Sequence, residues 1–178
     1  MKKPVTLTAA VALVIILADQ VTKLTVTGFL KDLPGRTFTV IQSFFYLRLV
    51  HNRGAAFGIG NDYGLLFTFL SLVTVAVLII FYRRFFARSV LSRVAGGLIL
   101  GGAVGNLIDR IFRGEAFLNG YVVDFLDFQF GSYHWPAFNL ADSAICVGVG
   151  ILILITLFIS PLHRSSGEGE NGRSGLRQ

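Results

Sequence analysis

One cysteine, one methionine, one tryptophan and four prolines are present in 178 residues, and only 15% of the chain is charged. Each scarcity excludes something. A single thiol, Cys146, rules out an internal disulfide and a thiolate metal cluster, and its place deep in an apolar run makes it an ordinary small apolar side chain. A lipid-bearing cysteine would have to stand directly after the N-terminal apolar run, and Cys146 lies far beyond it, so a lipoprotein reading fails. The three histidines, His51, His134 and His163, share no metal-ligand spacing, and no H-E-x-x-H helix is present. The serine of "FGSY" (130–133) has no partner base at a recognisable spacing, so a serine nucleophile is weakly supported. Low charge combined with 53% hydrophobic residues and a mean hydropathy of +0.68 excludes a soluble globule.

Long apolar runs are what the chain has in abundance. A bilayer core takes about 20 mostly apolar residues per helical span, and four stretches qualify, at roughly 5–26, 64–82, 94–112 and 139–160. The expected architecture is therefore a membrane all-α protein, a bundle of four transmembrane helices. Residues 1–160 form one domain, and 161–178 form a polar tail of disordered composition. The first run follows Lys2 and Lys3 as a secretory leader would, but it lacks a small-x-small cleavage site and carries "ADQVTK" before it ends. It reads as a retained span.

The net charge of +6 needs no nucleic acid to explain it. Arg83, Arg84, Arg88 and Arg93 crowd the short connection after the second span, on the same side as Lys2, Lys3, Arg164, Arg173 and Arg177. The positive-inside rule places that side, with both termini, in the cytoplasm. Spans one and three then run outward and span four runs inward. Asp19, Lys23, Asn106, Asp109, Arg110, Asn139 and Asp142 consequently share one depth near the outer face.

A charge at midspan costs on the order of 2.5 to 3.5 kcal/mol on insertion scales, and less toward the interface. Several such charges at one depth point to a polar site between helices. A proton-coupled transporter would spread its acids across the membrane and often carry an internal repeat, and a passive scaffold gives no reason for the clustering. Asp19 and Lys23 form an i, i+4 pair, and Asn106, Asp109 and Arg110 share a helix face. Gly97, Gly101 and Gly105 make a small-xxx-small ridge for close helix packing.

Two longer connections lie on the outer side. The first, about 30–62, has strand composition leading into a glycine-bearing turn at Asn52 and Gly54, for which turn chemistry alone is one sufficient account. The second, about 113–138, is an aromatic loop suited to the headgroup level, and it carries Asp124 within "YVVDFLDF". Apolar neighbours should favour the neutral form of Asp124, whereas Asp127 reads as a solvated loop charge. Asn139 and Asp142 have the spacing of a capping box. Two carboxylates at one membrane surface suggest general acid and base work on a water molecule, and peptide hydrolysis fits that chemistry.

Five segments, "DQVTK" (19–23), "NRGAAFG" (52–58), "GGAVGNLIDR" (101–110), "VVDF" (122–125) and "FNLAD" (138–142), together resemble the bacterial lipoprotein signal peptidase family, signal peptidase II, over about residues 5–160. The resemblance implies a multi-pass aspartic endopeptidase of the bacterial inner membrane, with a small extracytoplasmic β-cradle, an active site toward the outer face, and no metal or other cofactor. Its implied substrates are diacylglyceryl-modified prolipoproteins, cut just before the lipid-bearing cysteine. Asp124 and Asp142 match the catalytic pair. Asp19, Lys23, Asn52, Gly54, Asn106, Asp109, Arg110 and Asn139 match positions that bind substrate or brace the site. Arg110 and Asn106 are expected to bind substrate carbonyls, Asn139 to orient Asp142, and Asp19, Lys23 and Asp109 to hold helices and loops. A monomer in contact with membrane lipids is expected, with the aromatic loop as a movable cover over the acids.

Overall fold

The computed structural model describes residues 4–54, 63–114 and 116–159. The expected tail, 161–178, and the distal part of "NRGAAFG" lie outside the described residues. Five α-helices occur among the described residues: α1 (Pro4–Leu30), α2 (Gly64–Ile80), α3 (Tyr82–Phe85), α4 (Val90–Phe112) and α5 (Leu140–Leu154), the last continued by a π-helical turn over Ile155–Ile159. Val5–Leu30, Val90–Phe112 and Leu140–Phe158 are long and apolar enough to cross a membrane. The fourth apolar helix, α2, has 17 residues. At 1.5 Å per residue it is about 25 Å long, somewhat shorter than a hydrocarbon core of about 30 Å.

Helix boundaries follow local chemistry more closely than hydropathy. α4 begins at Val90, four residues before the expected start, because Ser89 and Ser92 form a reciprocal capping box: Ser92 N donates to Ser89 Oγ at 3.0 Å and Ser89 N to Ser92 Oγ at 2.9 Å. The charge of Arg93 in the first turn hides that start from a search for apolar runs.

α1 and α4 pack in parallel. Thr8 Oγ1 donates to the Arg93 carbonyl near the start of both helices, and Gln20 Nε2 to the Gly105 carbonyl farther along. α5 runs antiparallel to α4, since a side chain on Gly102 would strike the Ala141 carbonyl and one on Gly148 would reach 2.8 Å from the Ala95 carbonyl. These small residues let the helix backbones approach. Leu13, Val14, Leu17, Val21 and Leu24 of α1 are exposed while Thr8, Asp19 and Lys23 are buried, the inverse of a soluble helix and the pattern a lipid solvent selects.

A four-stranded antiparallel sheet caps one end of the helices: β1 (Thr37–Ile41), β2 (Phe45–Asn52), β3 (Val122–Phe130) and β4 (Tyr133–His134), in that spatial order. The first outer connection forms strands, as its composition suggests. The second is not simply a loop: nine of its residues form β3, pairing with β2. Asp127 is accordingly not a solvated loop charge, being 3% exposed and paired with Arg48. Phe138 closes this unit onto α5, exchanging backbone hydrogen bonds with Leu126 at 2.8 and 3.1 Å.

Candidate active site

The first turn of α5 and the third residue of β3 supply the two acids. Asn139 caps α5, accepting from Asp142 N at 3.0 Å, while its own N–H donates to Asp142 Oδ2 at 3.1 Å. The same residue turns its amide outward from the helix and donates to Asp124 Oδ1 at 2.8 Å. One residue thus holds both carboxylates, and its capping role is part of the arrangement.

The two remaining carboxylate oxygens are also matched. Asn52 Nδ2 donates to Asp124 Oδ2 at 3.0 Å, and Asn106 Nδ2 to Asp142 Oδ1 at 2.8 Å. Three asparagine amides and one backbone N–H therefore bind four carboxylate oxygens without bringing a formal charge into contact with them. Asp124 is 3% exposed, and burial together with the nearby Asp142 charge pushes its carboxyl up from 3.8 to about 7, against the lowering effect of the Asn52 and Asn139 hydrogen bonds. Both acids line a cavity of about 410 Å³, with Asn52, Asn106 and Arg110 in its wall.

Behind the acids lies a buried ionic network. Lys23 Nζ is 2.9 Å from each of Asp19 Oδ2, Asp109 Oδ2 and Asn106 Oδ1, so all three ammonium protons have acceptors. Asn139 Nδ2 also reaches Asn106 Oδ1 at 3.2 Å. With its oxygen engaged in this way, Asn106 must present its N–H₂ to Asp142. Asp19 Oδ1 accepts from Ala141 N at 3.1 Å and Asp109 Oδ2 from Val123 N at 3.1 Å, which ties α1 to α5 and α4 to β3.

Arg110, expected to meet substrate, lines the cavity and is also bound within the protein. Its Nη1 donates to the Arg53 carbonyl at 3.2 Å and its Nη2 to the Gly54 carbonyl at 2.7 Å, and its guanidinium lies 5.6 Å from the Phe67 ring centroid. It fixes the end of β2 to α4 and α2 while still lining the cavity. Asn52 Oδ1 accepts from Gly54 N at 3.0 Å, so turn chemistry and contact with Asp124 coexist in one side chain.

Three contributors have no counterpart in the sequence reading of the site. Gln20 donates to Asp19, Asp109 and the Gly105 carbonyl, and Arg113 Nε donates to Asp109 Oδ1 at 2.7 Å. The i, i+4 spacing from Asp109 to Arg113 is the signal that would have found the latter. Gly105, read as part of a packing ridge, faces a carboxylate: a Cβ there would lie 2.6 Å from Asp19 Oδ2. The aromatic residues expected to cover the acids are also divided. Tyr133 belongs to β4 of the sheet and Trp135 follows it; each is 51% exposed, their ring centroids lie 6.5 Å apart, and both form part of the cavity wall beside Asp124.

Comparison with known proteins extends these observations. A family model described as signal peptidase (SPase) II matches residues 11–158. The chain is 47% identical over 148 residues to a lipoprotein signal peptidase of Syntrophotalea carbinolica, covering 81% of this chain and 86% of the relative. It is 41% identical over 149 residues to one of Bacillus pumilus, covering 84% and 90%. A bacterial membrane enzyme structure obtained in meso at 2.3 Å resolution superposes with a TM-score of 0.69 at 30% identity, covering 96% of this chain and 94% of that one. A second, at 1.9 Å resolution, gives 0.68 at 32% identity, covering 85% and 92%.

Proposed function

The chain belongs to the signal peptidase II family of membrane proteases, and on that premise we propose that Asp124 and Asp142 form an aspartic dyad that removes signal peptides from diacylglyceryl-modified prolipoproteins. The observation that carries this reading is the single residue Asn139 holding both acids at the wall of one cavity. The cut falls before the lipid-bearing cysteine. The enzyme works as a monomer in the bacterial inner membrane, with α2 as a fourth span, both termini cytoplasmic, and the sheet and dyad on the outer face. No cofactor takes part.

The chemistry follows from the asymmetry of the two acids. Asp124, the more deeply buried, carries the proton and gives it to the scissile carbonyl oxygen. Asp142, as carboxylate, takes a proton from the water whose oxygen bonds to the carbonyl carbon. The resulting gem-diol collapses as the C–N bond breaks, with Asp142 returning its proton to the departing amine and Asp124 recovering one from the diol. Three amide side chains keep both carboxyls in position without neutralising either. A substrate whose scissile bond sits beside a membrane anchor can enter laterally, reaching the dyad where water is also available.

The test is cleavage by the purified full chain of a synthetic prolipoprotein peptide with and without the diacylglyceryl thioether, with products identified by mass. The expected result is one cut, immediately before the modified cysteine, and at least about tenfold lower kcat/KM without the lipid. Equal cleavage of both peptides, or a cut elsewhere, overturns the substrate assignment. With Asp124 as the acid, kcat/KM should fall as pH rises through about 7. A profile flat across that range contradicts the placement of the proton.

A further inference from the structure

β2 and β3 do not pair one to one. Leu47 lies opposite Leu126 and Val50 opposite Asp124, so β2 holds one residue more than β3 over this stretch, and Arg48 and Leu49 together face Phe125. Opposed side chains in an antiparallel ladder share a face and successive ones alternate, so one inserted residue reverses the facing of everything beyond it. Asn52 is beyond it. With the insertion, Asn52 pairs with Val122 on the face of Asp124, and its amide reaches Asp124 Oδ2 at 3.0 Å. Continued without the insertion from Leu47 opposite Leu126, the register would set Asn52 against Tyr121, on the opposite face.

The bulge needs an anchor, because Phe125 N–H is turned away from β2 and donates to the Phe138 carbonyl at 3.0 Å. An ion pair spans that place. Arg48 Nε lies 2.9 Å from Asp127 Oδ2, two residues beyond the unpaired Phe125 of β3. Asp127 is 3% exposed, and its Oδ1 has no hydrogen-bond partner among the described residues. A buried carboxylate left half matched is poorly explained by stability, whereas fixing register is the best-attested use of such a group.

We propose that Arg48 and Asp127 form a register clamp that ties the inserted residue of β2 to β3 and so keeps Asn52 on the catalytic face against Asp124. Both are positioning residues for the proteolysis, and the inference rests on the dyad reading above. The hydrogen bond from Asn52 lowers the Asp124 pKa, so losing the clamp moves the Asp124 limb of the pH profile upward, the direction that loss of Asn52 itself gives.

The experiment compares kcat, KM, pH profile and melting temperature for Arg48→Ala, Asp127→Asn, Asn52→Ala, Arg48→Ala with Asn52→Ala, and Asp124→Asn, each in the full chain. Arg48→Ala is expected to lower kcat about tenfold or more with KM within about twofold, and to raise the alkaline limb as Asn52→Ala does. In the Asn52→Ala background it should cost less than about twofold further. Asp127→Asn is similar in size to the native residue and removes the charge pair alone, so it supplies the same comparison if Arg48→Ala does not fold. Effects of Arg48 and Asn52 that multiply, a lower kcat with no movement of the limb, or wild-type behaviour in both clamp variants each overturn the clamp. An active Asp124→Asn would instead overturn the dyad reading.

Discussion

Asp124→Asn and Asp142→Asn should each lower turnover of the diacylglyceryl-modified peptide by about a thousandfold or more while leaving the protein folded. A general acid or base typically contributes about 100- to 10,000-fold, and members of one catalytic unit fail together, so the double variant should be little worse than either single one. Asparagine is nearly isosteric with aspartate. At 124 it keeps an acceptor for either Asn52 or Asn139, though not for both. Stability gives an internal control. The folded pKa of Asp124 is raised from 3.8 to about 7, so the stability held by its neutral form is complete below about 3.8 and lost as pH rises through about 7. Asparagine has no such loss, and Asp124→Asn should gain in melting temperature relative to the parent as pH rises across that window. Turnover within tenfold of the parent in either folded variant contradicts the dyad.

The second large effect concerns the fold. Lys23 is fully buried, and among the described residues removing its ammonium in Lys23→Met leaves Asp19 with no paired cation and Asp109 with Arg113 alone. Breaking a buried ion pair by deleting one partner costs about 3 to 5 kcal/mol. Asp19 and Asp109 also hold the N–H groups of Ala141 and Val123, so the loss reaches α5 and β3, the two elements that carry the acids. The expected outcome is a large drop in melting temperature in detergent, partly recovered when Asp19→Asn removes the stranded charge. Lys23→Met melting like the parent would show that the network contributes little. A surviving fraction should still turn over slowly, because Asn106 would lose the shorter of the two contacts that fix its amide toward Asp142.

Local signals made part of this molecule legible in its sequence. The apolar runs locate the helices to within a few residues, and the Asn139 and Asp142 spacing announces the cap that begins α5. What was hidden depends on pairings between distant segments. β3 looked like a loop because Asp124 and Asp127 interrupt its apolar residues, yet one acid faces the cavity and the other is matched by Arg48 across the sheet. Nothing near Asn139 in the chain suggests that its side chain reaches Asp124, and nothing near Asn52 betrays the insertion that aims it. Gly97 and Gly101 do pack against α1, while Gly105 in the same ridge makes room for a carboxylate. Spacing alone does not separate those roles.

Activation of a water molecule between two acids is tested most directly by single-turnover cleavage in H₂¹⁸O with enzyme in excess. Direct attack should place one ¹⁸O in the new C-terminal carboxylate of the released signal peptide and none in Asp124 or Asp142. A first-turnover peptide without the label, with ¹⁸O in either aspartate, would mean that the carboxylate itself attacks through an acyl-enzyme, contradicting the proposed mechanism.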